Sequence, residues 1–239
     1  ADMVDSSIGN ILDHLEYQGY YDSKVESEIK VRRKKVSVTY NVTLGKRYPI
    51  SEISYDIPRR GEFPKAFLSD TSNLSVKAGD YLSEAALEAE SESSSKRMRN
   101  LGFYDFNKNH YFYEADTLSE PGKALLKLTI NEYTRNENPR DAVPIRKFYI
   151  DEVNISYPSS LKIKEQVLKD LTTIYPGQEY SEDNINSTYS RLSSLKIFST
   201  VNVEMTQKDS NLVDCSISLT QSKLQGFKAN LEASTNSSG

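Results

Sequence analysis

Residues whose types could support catalysis or metal binding are scarce and widely separated in this sequence of 239 residues. The two histidines, His14 and His110, have no Cys, Asp or Glu at a ligand spacing that would suggest a metal site. Cys215 is the single cysteine, so it can form neither an intramolecular disulfide nor a thiolate metal site alone. The serine-rich residues 91–95 lack the Gly-x-Ser-x-Gly context of a hydrolase nucleophile. We therefore expect no enzyme activity, no metal site and no cofactor.

The charge balance argues against a nucleic-acid partner and against carboxylate catalysis. Lys and Arg total 30 against 34 Asp and Glu, a formal net charge of −4 that provides no general excess of positive charge for a polyanion. Acidic residues such as Asp13, Glu88 and Glu92 fall on predicted helices, as solvated faces usually do. A paired-carboxylate hydrolase would need two acids that converge in a pocket.

The composition favours several small modules over one large core. Hydrophobic residues make up 37% of the chain and there is no Trp, whereas globular domains typically reach about 45–50% apolar residues. No run of 18 apolar residues predicts a membrane-spanning helix. The first residues do not resemble a signal peptide, and we expect the chain to be cut from a longer one.

Three segments repeat one order of structural signals. The second opens with Tyr48-Pro-Ile-Ser-Glu-Ile-Ser-Tyr-Asp-Ile-Pro58 and the third with Phe148-Tyr-Ile-Asp-Glu-Val-Asn-Ile-Ser-Tyr-Pro158. Each predicts a strand stopped by proline, which lacks the N–H that a continuing ladder needs. Two stretches of helical periodicity follow, the second starting near Ser83 or Ser181. Each copy then ends in a hairpin of two alternating strands.

The predicted unit is therefore β-α-α-β-β, and the fold class is α+β with tandem modules, each a three-stranded mixed sheet covered by two helices. Repeat one (residues 1–46) lacks the first strand and helix, repeat two (47–137) and repeat three (145–221) are complete, and residues 222–239 contain a last alternating strand. The polar, proline-containing residues 135–144 predict a linker with a hinge near residue 140. The junction at residues 45–49 is predicted to be tighter.

A basic run, Arg32-Arg33-Lys34-Lys35, falls where the hairpin of repeat one must turn. We expect a solvated turn. Contact with anionic lipid headgroups is the alternative, and four charges are near the lower end for that role.

The repeat pattern resembles POTRA domains of the BamA/TamA family of outer-membrane assembly proteins. The resemblance rests on the β-α-α-β-β order, on Gly19-Tyr-Tyr-Asp22 and Gly102-Phe-Tyr-Asp105, on the junction Gly45-Lys-Arg-Tyr-Pro-Ile50, and on the alternating residues after 222. Within the family, the pattern Gly-Tyr-Tyr-Asp, Val-Thr-Tyr-Asn-Val and Gly-Lys-Arg-Tyr favours the TamA-like branch. Repeat three departs from the family pattern, because Lys196-Ile197-Phe198 stands where the other two repeats have Gly followed by an aromatic residue.

The resemblance implies a location and partners. Such arrays lie on the periplasmic face of the outer membrane in Gram-negative-type cells, ahead of a membrane β-barrel. Residues 222–239 would then start the first strand of a barrel that this chain lacks and through which the protein would contact the membrane. The implied partners are unfolded outer-membrane β-barrel proteins and either a TamB-like protein or accessory lipoproteins.

A β-α-α-β-β unit also suggests how clients could bind. If strand one adds in parallel beside strand three, strand two lies at an edge whose N–H and C=O groups can pair with an extended chain. We expect such edges at residues 103–113 and in repeat three. The candidate client-binding residues are Phe103, Tyr104, Phe106, Tyr111, Phe112, Tyr113, Val201, Val203 and Met205. For any one aromatic the alternative is ordinary strand packing, and for the whole chain it is a structural or adhesion-type array that acts as a spacer.

Overall fold

The computed structural model describes residues 2–33, 35–134, 142–208 and 210–222. The chain divides into two compact units. Unit one is Ala1–Tyr149 with Glu179–Glu182, and unit two is Ile150–Gln178 with Asp183–Gly239. The strand expected within residues 222–239 and most of the linker expected at 135–144 lie outside the described residues.

The elements follow the predicted order. Repeat one contributes α1 (Asp2–Tyr17), β1 (Lys24–Arg32) and β2 (Lys35–Thr43). Repeat two contributes β3 (Ile50–Asp56), α2 (Phe63–Asp70), α3 (Glu84–Asn100), β4 (Tyr111–Asp116) and β5 (Ala124–Ile130), with short 3-10 helices at Thr71–Asn73 and Lys108–His110. The two-residue strands β6 (Tyr133–Thr134) and β7 (Ala142–Val143) pair with each other. Repeat three contributes β8 (Tyr149–Ser156), α4 (Glu165–Leu171), α5 (Glu182–Ser194), β9 (Phe198–Gln207) and β10 (Leu212–Gln221).

Both complete repeats build the same mixed sheet. Their strand orders are β3-β5-β4 and β8-β10-β9, so the third strand of each repeat is central. In repeat two, β3 runs parallel to β5 and β4 runs antiparallel to it. In repeat three, β9 runs antiparallel to β10. The α+β fold with mixed three-stranded sheets is confirmed, and so is the edge position of strand two.

Apolar side chains of unit one fill two adjoining clusters between the sheet of repeat two and its helices. One cluster is aromatic and contains Phe63, Phe67, Met98, Phe103, Phe106, Leu128, Ile130 and Ile145. The other is mainly aliphatic and contains Ile50, Val76, Leu82, Leu87, Ala124 and Leu126. Among the described residues, no helix is long and apolar enough to cross a membrane.

Helix α3 carries a buried polar network that holds the loop after α2. The helix begins after Ser83, whose side chain accepts a hydrogen bond from the Ala86 amide at 3.4 Å. The Glu90 carboxylate is 2% exposed and accepts hydrogen bonds from the amide and hydroxyl of Ser75. Arg97 donates to Glu90 at 3.2 Å and to Asp70 at 2.7 Å. A buried carboxylate with these partners compensates much of its lost hydration.

A repeated arrangement connects one repeat to the next within unit one. The Tyr21 and Tyr48 rings lie 5.6 Å apart, and the corresponding Tyr104 and Phe148 rings lie 5.5 Å apart. The backbone repeats too, because Leu82 N donates to Tyr48 O at 2.8 Å and Tyr180 N donates to Phe148 O at 2.9 Å. The Gly-aromatic-Tyr-Asp motif therefore positions the start of the following repeat.

Gly19 is essential to the first of these junctions. It is buried with φ +85°, in the left-handed region, and a Cβ at this position would lie 2.1 Å from the carbonyl oxygen of Leu82. Backbone atoms cannot move aside as a flexible side chain could, so only glycine fits here.

We predict that Glu90→Ala lowers the free energy of unfolding of unit one by about 3–5 kcal/mol, because it leaves Arg97 and the Ser75 amide without their buried partner. Urea titration followed through the NMR amide signals of β5 measures this change. Glu92→Ala removes the same functional group from an exposed position on the same helix and should cost less than about 0.5 kcal/mol. Equal costs for the two variants would contradict a structural role for the buried carboxylate.

We also predict that Gly19→Ala destabilises unit one by more than about 3 kcal/mol, because it combines left-handed strain with a backbone clash. Gly79→Ala is the matched control, because Gly79 has φ +98° but open space around its Cβ direction. It should cost only about 1–2 kcal/mol. The same urea titration compares them, and a cost for Gly19→Ala no larger than for Gly79→Ala would rule out the clash.

Candidate functional site

Strand β4 forms one border of the sheet in repeat two, with its backbone open on the side away from β5. The Asn131 amide donates to the His110 carbonyl at 2.8 Å, just before the first β4–β5 pair. Since antiparallel partners exchange hydrogen bonds at every second residue, Phe112, Glu114 and Asp116 bond to β5. Tyr111, Tyr113 and Ala115 therefore direct their N–H and C=O groups to the open side.

A groove of about 580 Å³ lies between β4 and α3, beside this open edge. Its lining combines aromatic strand residues with polar helix residues: Glu84, Leu87, Glu88, Ser91, Lys108, Asn109, Tyr111 and Tyr113. A chain paired with β4 would turn every second side chain toward this groove. The edge of the sheet thus offers both a row of free backbone N–H and C=O groups and a groove for side chains.

The two groove tyrosines are anchored in the protein interior. The Tyr111 hydroxyl donates to Ser94 Oγ at 2.7 Å. Burial raises the pKa of Tyr111 above its ordinary value and raises the pKa of Tyr113 to about 12. Both rings therefore stay neutral throughout the physiological range and present uncharged surface to the groove.

An ion pair and a hydrogen bond form the polar rim of the groove. Lys108 Nζ lies 3.0 Å from Glu88 Oε1, and the Tyr17 hydroxyl of α1 donates to Glu88 Oε2 at 2.8 Å. These hydrogen bonds from Lys108 and Tyr17 hold the pKa of the Glu88 carboxyl below its ordinary value. The rim is ionised at neutral pH and lies next to repeat one.

The expectation of a continuous strand over residues 103–113 is wrong. Residues 103–110 form turns and a 3-10 helix, and β4 begins only at Tyr111. Phe103 and Phe106 are both 0% exposed and belong to the aromatic core cluster, where Phe63 packs against them. They cannot meet a client without unfolding, so they are corrected from candidate binding residues to core residues.

The remaining aromatic candidates of repeat two fall into different environments. Tyr104 belongs to the junction described above and packs edge-to-face on Phe148 and Tyr180. Phe112 is 52% exposed on β4, on the face opposite to Tyr111 and Tyr113. Only three of the six candidates there, Tyr111, Phe112 and Tyr113, lie on the edge strand.

Strand β9 is the corresponding border of unit two. Lys208 N donates to Leu212 O at 3.0 Å, which sets the alternation along the β9–β10 ladder. Thr200, Asn202, Glu204 and Thr206 then bond to β10, while the backbone of Val201 and Val203 faces the open side. The side chains of Val201, Val203 and Met205 are half-buried on one face of this strand. All three candidates of repeat three therefore lie on an edge strand.

Unit two has a groove beside its other edge strand, and the sequence analysis did not predict it. A groove of about 460 Å³ lies between the other edge strand, β8, and α4, and Val153, Ile155, Lys169 and Ile174 are among its lining residues. The corresponding space in repeat two measures only about 10 Å³, bounded by Tyr55, Leu74, Glu90 and Tyr113 among others.

The difference between these two spaces follows from side-chain size. The two repeats can be aligned by pairing Ser83 with Ser181 and by superimposing their hairpins. In this alignment, repeat three has smaller side chains at four positions: Ile155 for Tyr55, Thr172 for Leu74, Thr188 for Glu90 and Val203 for Tyr113. Thr188 keeps the anchoring role of Glu90, since its hydroxyl accepts the Thr173 amide at 2.9 Å. Smaller side chains at all four positions could have predicted the opening.

The structure places His110 and Cys215 in the protein interior. No group of three or more His, Cys, Asp or Glu side chains in residues 2–33, 35–134, 142–208 and 210–222 could hold a metal ion. His110 packs on Phe106, and its Nδ1 lies 2.7 Å from the Asn131 carbonyl, so it serves the core. Cys215 is buried, which raises the pKa of its thiol to about 11.

Comparison with known proteins identifies the fold. Residues 148–221 match the family model "POTRA: Surface antigen variable number repeat". No curated protein matches the chain at a significant level.

Solved structures of POTRA regions share the architecture. BamA POTRA3-5 from Haemophilus influenzae is 13% identical with a TM-score of 0.53, and the match covers 91% of this chain and 80% of that one. BamA from Haemophilus ducreyi lacking POTRA domains 1-3 is 14% identical with a TM-score of 0.54, and the match covers 73% of this chain and 30% of that one. The TamA-like branch stays a prediction. The chain has the fold of tandem POTRA domains, and its residues 148–221 also carry the sequence pattern of the POTRA family.

Proposed function

We propose that this chain is the periplasmic POTRA region of an outer-membrane protein assembly or translocation factor of the BamA/Omp85 kind. In this role it is non-enzymatic and receives unfolded β-barrel proteins by backbone pairing with the free borders of its sheets. The observation that carries the proposal is that both complete repeats leave strand two, β4 or β9, at an edge of the sheet.

Backbone pairing suits a receptor for many different clients. The open groups of Tyr111, Tyr113 and Ala115 form a row that any extended chain can bond to, whatever its side chains. Each hydrogen bond contributes only about 0.5–1.5 kcal/mol net, so a short strand binds weakly and reversibly. A client that must be passed on to a membrane needs such reversible binding.

The groove beside β4 adds a modest preference. Its floor has the rings of Tyr111 and Tyr113, and its rim has the charges of Glu88 and Lys108. Strands that alternate apolar and polar residues, as barrel strands do, would place apolar side chains on the floor while their polar side chains stay in water. Clients with this alternation are therefore favoured.

The domain boundaries complete the proposal. Within this proposal, residues 1–46, 47–137 and 145–221 are three successive POTRA modules, and the first comprises a helix and a final hairpin. A TamB-like protein or accessory lipoproteins would bind elsewhere on the modules.

The test uses the isotope-labelled full chain and an unstructured peptide copied from a strand of an outer-membrane barrel. Ala115→Pro is the diagnostic variant, because it removes an N–H on the open side of β4 at an exposed position where an edge strand tolerates proline. We expect the peptide to shift the amide signals of β4, and Ala115→Pro to weaken binding about two- to tenfold, since it removes one hydrogen bond. NMR titration measures both.

Ala115→Ser is the matched control, since it keeps the N–H and should bind like the unaltered chain. If Ala115→Pro binds the peptide as tightly as Ala115→Ser does, β4 is not the receiving edge. If millimolar peptide shifts no signals on β4 or β9, the array acts as a spacer.

A further inference from the structure

The rim of the groove between β4 and α3 already holds an ammonium group. Lys108 Nζ lies 3.0 Å from Glu88 Oε1 and 3.4 Å from Glu92 Oε2. The other oxygen of Glu88 accepts a hydrogen bond from the Tyr17 hydroxyl at 2.8 Å. Glu88 is thus fixed at the groove, with one carboxylate oxygen directed to a cation.

The contact between Lys108 and Glu88 is easy to exchange. Lys108 lies in the 3-10 helix that leads into β4, and the side chains of Lys108 and Glu88 are 46% and 51% exposed. Exposed ion pairs of this kind contribute little free energy. Because Lys108 also contacts Glu92, it can leave Glu88 and still keep a carboxylate partner.

The groove carries more negative than positive charge. In the described part of the chain, its lining includes two carboxylates, those of Glu84 and Glu88, and one ammonium, that of Lys108. Glu84, Glu88 and Glu92 recur at every fourth residue, so they lie on one side of α3. A ligand that complements these charges is therefore cationic.

The floor of the groove suits the aliphatic part of such a ligand. Tyr111 bonds to Ser94, and Ser91 and Tyr113 line the groove together, so α3 runs along β4. A Lys or Arg side chain from a strand paired with β4 can lay its methylene groups along the tyrosine rings while its charged end reaches Glu88. Floor and rim thus serve one long basic side chain.

We infer that Glu88 is a cation subsite of this groove, filled by Lys108 in the unbound chain and by a Lys or Arg side chain of a bound client. This inference rests on the proposed function and names the clients that it favours, which are alternating segments with a basic residue in their apolar row. Lys108 is then an internal competitor that keeps Glu92 when a client cation takes Glu88. A client with an acidic residue at that place would meet Glu84 and Glu88 without a counter-charge.

The experiment uses the isotope-labelled full chain and unstructured peptides that copy a barrel strand and differ only at one position of the apolar row, which is Lys, Gln or Glu. NMR titration of the β4 amides measures the dissociation constant of each peptide. We expect the Lys peptide to bind about two- to fivefold more tightly than the Gln peptide, and the Glu peptide to bind most weakly. The preference should shrink as salt screens the charges.

Variants at the rim test the exchange directly. Glu88→Gln keeps the size of the side chain and removes its charge, so the Lys and Gln peptides should bind this variant equally. Lys108→Met removes the competing ammonium, so the preference for the Lys peptide should widen by about two- to fivefold. Glu52→Gln is the matched control, because it removes one negative charge from an exposed position on β3, the opposite edge strand. It should keep the preference of the unaltered chain, and amide spectra verify that each variant is folded.

The outcomes separate this inference from the proposed function. If the Lys and Gln peptides bind the unaltered chain equally and both shift β4, clients are received there without a cation subsite. If none of the peptides shifts β4, reception of clients at this edge is wrong and the subsite is wrong with it. A loss of preference in Glu52→Gln as large as in Glu88→Gln would show that overall charge selects the peptide. A narrower preference in Lys108→Met would contradict competition by Lys108.

Discussion

The central strand of each complete repeat is the constraint on which the remaining architecture depends. In repeat two, the Ala124 amide bonds to the Pro49 carbonyl on the side of β3, and the Asn131 amide bonds to the His110 carbonyl on the side of β4. A strand has only two hydrogen-bonding sides, so the parallel return of strand one uses the last free side of strand three. Strand two must then form a border of the sheet, and the candidate binding edges follow from connectivity alone.

The two complete repeats share this connectivity but fill their cores differently. Repeat two closes the space beside its first strand with Tyr55, Leu74 and Tyr113, and it buries a carboxylate, Glu90, to hold the neighbouring loop. Repeat three holds the same loop with the Thr188 hydroxyl and leaves a groove of about 460 Å³ beside β8. Both repeats therefore have the same sheet edges but different grooves. Backbone pairing within a sheet does not depend on side-chain volume, whereas the filling of the core does.

The aromatic junctions explain why the short motif Gly-aromatic-Tyr-Asp needs these residue types. Gly19 allows close approach to Leu82, and Tyr21 packs on Tyr48 directly before β3 begins. In the next copy, the Gly102 carbonyl accepts the Phe148 amide at 2.8 Å, and Tyr104 packs on that ring. Within unit one, the Gly-aromatic-Tyr-Asp segments are therefore packed against the residues just before the strands that follow them.

The sequence by itself determined the order of the elements and the edge position of strand two in each complete repeat. Proline stops, serine helix starts and alternating hairpins are local signals, and local signals survive without knowledge of tertiary contacts. Tertiary structure alone decided which aromatics lie on the edge strand and which lie in the core. Phe103 and Phe106 lie close to Tyr111 in sequence, and yet they fill the core around Phe63. A cluster of aromatic residues has the same appearance in a strand and in a buried turn, and only the packing of distant residues separates the two cases.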